Sequence, residues 1–290
     1  MDIWSNTDYP YQCLIDRART LAFREAIRST VRPGDTVLDA GAGSGILSFF
    51  AAEAGAARVY AVEVDEFLAR ILAMSADANG LGGVVEVIHG DVRRVTLPSP
   101  VDVCVMEMIE TGLIDEMQAP ALNSLRHRGI IGADTTLIPF RYDTFLELGR
   151  TNTEYYGYTV LVPKHDWPHY GRDGEGWEPS TFEPFGEPRL LESTSFEGYI
   201  DPRVRRRVVL RAKHGGVANA VRLTSRAYLT SDISLGATNA LNGDKILSIA
   251  DFPIAAGTEA PVDVAYEMGG GLASVHVETS TRRKDRQGRG

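Results

Sequence analysis

Between Gln12 and Thr30, apolar residues recur at Leu14, Ala18, Leu21, Ala22 and Ile27. This spacing of three and four predicts an amphipathic helix, which Pro33-Gly34 brings to an end. Residues 36–39 then read as a buried strand, 46–54 as a helix and 58–62 as a second strand, a βαβ unit. The alternation continues with a helix over 66–79, stopped by Gly80, and strands at 84–88 and 101–106. Strands alternating with helices imply a parallel sheet covered on both faces.

Past Pro139 the helical period disappears, and short β-rich runs take over at 142–148, 207–210, 221–229, 245–249 and 274–279. These predict a mainly antiparallel sheet or barrel. The segment 151–201, rich in Pro, Gly, Tyr and Trp, is too long for an ordinary connection and is expected to be an arm, lid or contact element. The expected organisation is therefore an α/β unit over 1–139, a β-rich unit over 140–282 carrying the arm, and a solvated, disordered tail at 283–290.

At 290 residues with 43% hydrophobic content, the chain can bury a sizeable core. Its net charge of -9 disfavours nucleic acid as a partner, because phosphate binding needs clustered Lys and Arg. Cys13 and Cys104 are far apart and lack metal-ligand spacing, so neither a disulfide framework nor a metal site is expected. No apolar stretch approaches the roughly 18 residues of a membrane span, and the N-terminus lacks the features of a signal peptide. A cytoplasmic protein without a membrane partner is the expectation.

Chemistry concentrates at strand ends. Asp39-Ala40-Gly41-Ala42-Gly43-Ser44-Gly45 lies where a strand turns into a helix, and glycines there let backbone pass close beneath a ligand. A dinucleotide turn places its third glycine one residue beyond Gly45, where Ile46 stands. The DxGxGxG pattern instead resembles class I methyltransferases, which implies S-adenosylmethionine as cofactor, with Asp39, Gly41, Gly43 and Gly45 at its site. Glu63 ends the second strand eighteen residues beyond Gly45, where a carboxylate can accept from both ribose hydroxyls. Asp91 and Val92 follow the third strand. They fit either an adenine contact or a plain Gly-Asp turn.

The fourth strand runs into Met106-Glu107-Met108-Ile109-Glu110-Thr111-Gly112-Leu113-Ile114-Asp115-Glu116, which puts acids at the carboxyl edge of the sheet. By spacing alone they could equally be a solvated loop. The chain, however, resembles the protein arginine methyltransferases, which carry two glutamates nine residues apart after this strand, as Glu107 and Glu116 are here. Leu14 through Arg24 looks like that family's cofactor-covering helix, and Leu137-Ile138-Pro139 looks like its passage into a barrel. The resemblance covers residues 9–148 well and the remainder in outline.

It implies a Rossmann-like methyltransferase domain followed by a β-barrel-like domain, with Arg19 pairing with the cofactor's carboxylate. It also implies Glu107 and Glu116 as the catalytic grip on a guanidinium, and a head-to-tail homodimer formed through the arm. The substrate is then arginine in a protein or peptide. A small guanidino, amine or hydroxyl compound on the same scaffold, and a non-catalytic cofactor-binding protein, are the alternatives. Two departures stand out. Met108, Ile109 and Glu110 replace an aromatic loop, and the family's Thr-His-Trp loop has no clear counterpart, since Asn239 stands where the His belongs. His165-Asp166-Trp167 falls too early in the chain and reads as arm packing. The glycine-flanked Arg286 and Arg289 of the tail are a possible self-methylation site or an inert end.

Overall fold

The computed structural model describes residues 9–168 and 180–279, so the tail and part of the arm lie outside the described residues. Strands β1 (Thr36–Ala40), β2 (Arg58–Glu63), β3 (Val85–His89), β4 (Val103–Met106) and β5 (Thr136–Ile138) form one parallel sheet in the order β3-β2-β1-β4-β5. Almost every residue of β1, β2 and β4 is buried, which is why these strands read as continuous apolar runs. Helices α3 (Ile46–Glu53), α4 (Glu66–Ala78) and α5 (Gln118–His127) make three of the crossovers. From β3 at the sheet edge the chain returns to β4 beside β1, so the strand order reverses between β1 and β4. Open α/β sheets bind ligands in the crevice at that reversal.

The single helix expected over 12–30 is two, α1 (Tyr9–Ile15) and α2 (Arg17–Thr30). Asp16 breaks them with an extended ψ of 93° and caps α2 by accepting from the Arg19 N–H at 3.2 Å. Neither α5 nor β5 was legible in the hydrophobic pattern.

The remaining strands are β6 (Arg141–Thr151), β7 (Glu154–Tyr155), β8 (Tyr158–Thr159), β9 (Lys164–Asp166), β10 (Phe182–Pro184), β11 (Arg189–Ser195), β12 (Arg203–Arg211), β13 (Gly216–Tyr228), β14 (Ser234–Leu235), β15 (Asp244–Ile254), β16 (Glu259–Glu267) and β17 (His276–Thr279). They pair antiparallel. One sheet runs β10-β6-β13-β15-β9, with β11 on β6 and β14 on β13, and a second runs β12-β16-β17. Strand β16 escaped the sequence reading because Pro261 interrupts it. Its Ala260, Val262, Val264 and Tyr266, two residues apart, are nonetheless all buried. One apolar cluster runs through both halves, from Phe23 and Leu38 through Leu122 and Leu146 to Leu223 and Val262. No helix among the described residues is long and apolar enough to cross a membrane.

Candidate active site

A cavity lies at the reversal point, floored by the turn after β1, roofed by α1 and closed at its far end by the loop after β4. The turn uses left-handed backbone at Gly41, Gly43 and Gly45 (φ 79°, 51° and 80°). Gly45 has a second reason, because a Cβ there would meet Leu72 Cγ at 2.7 Å and push α4 off the turn. Asp39, grouped by sequence with the cofactor ligands, sits beneath the turn and off the cavity wall. It accepts from Ser48 Oγ at 2.6 Å, and burial pushes its carboxyl up to about 6. Gly45 is likewise packed on Leu72 and does not line the cavity. Asp39 and Gly45 therefore shape the cradle that Gly41 and Gly43 line.

Glu63 is buried on the cavity wall. Its Oε2 accepts the Gly43 N–H at 2.7 Å and its Oε1 accepts the Asp65 N–H at 2.9 Å. Each oxygen keeps a lone pair, so a fixed carboxylate can still receive hydroxyl donors. Asp91 and Val92 also line the cavity. Asp91 is gripped by the Arg93 guanidinium, with Nε and Nη2 donating at 2.9 and 2.8 Å, and that bond holds its carboxyl below the usual range. Arg19 is buried and forms an ion pair with Glu107, while Nη1 donates to the Cys13 carbonyl at 3.2 Å. Its Nε finds no acceptor among the described residues.

The acidic loop between β4 and α5 is fastened from both halves. Gln118, fully buried, accepts from the Met108 N–H at 3.1 Å and donates to the Met106 carbonyl at 3.0 Å. From the antiparallel half, Ser225 accepts from the Gly112 N–H at 3.1 Å, and the Gly243 carbonyl accepts from Thr111 at 2.7 Å. The Gly269 and Gly271 N–H groups donate to Leu113 and Ile114, each at 2.9 Å. Within this frame Glu110 is buried between His165 Nε2 at 3.0 Å and Lys245 Nζ at 2.9 Å. Glu116 lines the cavity with no hydrogen bond or ion pair among the described residues. Burial, then the neighbouring Glu110, pushes its carboxyl up to about 8.

His165 and Trp167 correct the sequence reading, which treated them as arm packing. Strand β9 pairs with β15, His165 opposite Lys245, and this brings the imidazole to Glu110 and the Trp167 indole onto the cavity wall. The two rings stack 4.4 Å apart at 39°. Gly243 makes the approach possible, since a Cβ there would lie 2.8 Å from both His165 Nε2 and Trp167 Cδ2. Asn239, expected near this site, is exposed, whereas Ala240 and Leu241 line the cavity. Lys245 and Gln118 were also missed, because each reads in sequence as an ordinary surface residue of a strand or helix.

The model of the TRM5/TYW2 methyltransferase domain matches residues 17–144. A Methanothermobacter thermautotrophicus protein described as uncharacterized is 32% identical over 273 residues, 93% of this chain and 97% of that protein. A probable protein arginine N-methyltransferase 6 of Arabidopsis thaliana is 40% identical over 115 residues, 39% of this chain and 26% of that one. The Trypanosoma brucei PRMT1 enzyme-prozyme heterotetrameric complex with AdoHcy superposes with a TM-score of 0.74 at 18% identity, over 93% of this chain and 96% of that chain. Residues 17–144 form a methyltransferase domain of the S-adenosylmethionine-dependent class. The chain shares the full-length family of the archaeal protein and the two-part fold of the protein arginine methyltransferases, although it spans only about a quarter of the plant relative.

The methyltransferase's own residues fit the cofactor. The glycine turn would leave room for an adenosyl group, the fixed Glu63 carboxylate keeps lone pairs that ribose hydroxyls could meet, and Val92 would offer an apolar face on the same wall. Three carboxylates on the cavity wall, those of Glu107, Glu110 and Glu116, together with Asp115 on Lys245, outnumber the two cations Arg19 and Lys245. Once Glu116 is ionised, that surplus of acids suits positively charged reactants.

Proposed function

We propose that the enzyme methylates a guanidino nitrogen of arginine in a protein or peptide. The observation that carries this reading is Glu116, a carboxylate with no hydrogen-bond or ion-pair partner among the described residues, on the wall of the cavity that Glu107 and Trp167 also line. A guanidinium is planar and always charged, and two carboxylates can grip it through paired, charge-assisted hydrogen bonds. Trp167 adds an aromatic face of the kind such cations favour. When bound, the cofactor supplies an electrophilic methyl group on a sulfonium. Glu107 and Glu116 would then orient one nitrogen for in-line attack and draw positive charge toward the others; the N–C bond forms as the S–C bond breaks, the thioether departs, and the methylated nitrogen releases one proton to solvent. The test is transfer of labelled methyl to arginine peptides, their lysine counterparts and small guanidino compounds, followed by hydrolysis and identification of the labelled residue. Label in methylated arginine is the expected result. Absence of label from every guanidino acceptor, with the cofactor still bound, overturns the reading.

A small guanidino acceptor is the second reading. Tyr9 donates to the Ala240 carbonyl at 3.1 Å and Asp16 accepts the Ala240 N–H at 2.8 Å, so α1 is tied across the acceptor end of the cavity. The same assay separates the two acceptors.

We further infer a cytoplasmic homodimer, with 1–139 as the cofactor domain and 140–282 as the barrel domain. Both cysteines are free, as a reducing compartment requires. Two apolar patches are uncovered, Tyr156, Tyr158 and Leu161 on the arm and Phe67, Ile71 and Met74 on α4. Seating each arm on the other copy's α4 covers both patches through one twofold contact. Tyr156→Asp combined with Phe67→Asp is expected to give a monomer in sedimentation experiments. Unchanged association would rule out this contact.

A further inference from the structure

Lys245 is almost fully buried, an unusual place for an ammonium group. Its Nζ lies 2.6 Å from Asp115 Oδ2 and 2.9 Å from Glu110 Oε2. These acids sit just inside the two ends of the stretch that separates Glu107 from Glu116. The same strand start touches the loop a second time, through the Gly243 carbonyl that accepts from Thr111. Residues 243 and 245 share a face by the two-residue period of a strand. Strand β15 thus meets the acidic loop with one neutral and one charged contact.

Lys245 makes neither cofactor contact nor any part of the cavity wall, so its contribution is exerted through its neighbours. Resting on the arginine reading above, we propose that Lys245 is a positioning residue that sets the spacing and the charge of the acceptor acids. Its ammonium cross-links Glu110 to Asp115 and leaves Glu116, of these four acids, without a cation among the described residues. With Arg19 and Lys245 in place and Glu116 ionised, the four acids retain two net negative charges, matched by one sulfonium and one guanidinium. Burial works against the charge on Lys245, yet Glu110 and Asp115 outweigh it and hold the ammonium protonated above its ordinary range. Glu116 faces Glu110 and Asp115 on its own loop, Arg19 of α2, Tyr9 and Cys13 of α1, Tyr142 of β6 and Lys245 of β15. Among these groups Lys245 is one of two cations. Removing it makes Glu116 harder to ionise.

The experiment compares full-length wild type with K245M, K245R and K245M/D115N. K245M is expected to lose about 100-fold in acceptor kcat/KM at pH 8, a size typical of breaking one partner of a buried charge pair. Its AdoHcy Kd, read by calorimetry, should stay within threefold. The acid limb of its pH profile should move up by a unit or more. K245R keeps the charge, so its limb stays in place. K245M/D115N removes one of the two stranded anions, leaving Glu110 beside His165, and should recover at least tenfold over K245M. A structural tie alone predicts a lower Tm with the limb unmoved, and that result overturns the proposal. So does K245M with kcat/KM within threefold of wild type. A reading free of any acceptor comes from the 13C-glutamate carboxyl resonance that disappears in E116Q, whose titration should move upward in K245M. If wild type methylates no guanidino acceptor, the arginine reading falls while this titration still decides the role of Lys245. Should K245M fail to fold, K245Q and the double variant carry the same readouts.

Discussion

Glu116→Gln is expected to lower kcat/KM for the guanidino acceptor by about 10^3-fold, in line with the cost of deleting one member of a desolvated charge pair. Glutamine keeps the volume and one acceptor oxygen, so the loss reads charge rather than shape. Cofactor affinity should hold, because no hydrogen bond connects Glu116 to the glycine turn, to Glu63 or to Asp91. The pH profile makes the attribution specific. Burial and Glu110 push the Glu116 carboxyl up to about 8, so below that pH it carries a proton that must leave before a cation can seat. Wild-type kcat/KM should therefore rise about tenfold per pH unit up to about 8 and then level, following the ionised fraction. In the glutamine variant that limb disappears. Linkage adds a stability consequence of the opposite sign: between the ordinary 4.5 and about 8 the folded chain holds a proton that the unfolded chain has released, so stability falls as pH rises through that window. Wild-type turnover in Glu116→Gln, or an unchanged acid limb, would remove Glu116 from the mechanism.

The parallel half of the fold was legible because its signals are local. The period of three and four marked the helices, and the glycine turn marked the place where β1 meets α3. The acidic loop was legible only as a cluster of charges; what divides its members is tertiary. Glu107 is paired by α2, Glu110 by β9 and β15, and Glu116 by nothing among the described residues. No spacing within the loop distinguishes these three fates. His165 and Trp167 illustrate the same limit, because they reach the site through a strand pairing that spans about eighty residues of chain. A short β9 of three residues carries too little pattern to announce that partner. The helix break at Asp16 was hidden for a different reason. Its neighbours keep an apolar spacing that suits one helix, and the carboxylate stops it by bonding to Arg19 and, across the molecule, to Ala240.

Arg19→Ala should be the most damaging change at the cofactor side of the site. The sequence assigned this guanidinium to the cofactor's carboxylate, and the structure shows it already paired with Glu107. The two roles are compatible because a guanidinium has five donors in a planar fork. One Nη serves Glu107, the other the Cys13 carbonyl, and Nε remains without an acceptor among the described residues. Alanine would leave Glu107 buried without its cation, at a cost of about 3–5 kcal/mol by the behaviour of broken buried pairs. It would also empty the space under Phe23, whose ring lies 5.6 Å from the Arg19 Cζ. Cofactor affinity is expected to fall about 100-fold, and acceptor kcat/KM further still, because Glu107 loses the contact that orients it. Lysine keeps the charge without the fork and should restore only part of either. Adding Glu107→Gln to Arg19→Ala removes the stranded anion, so thermal melts should recover toward wild type while methyl transfer stays low. Calorimetry with AdoHcy and melts of the three variants separate the outcomes. If Arg19→Ala binds cofactor as wild type does, Arg19 serves Glu107 alone and the assignment to the cofactor's carboxylate is withdrawn.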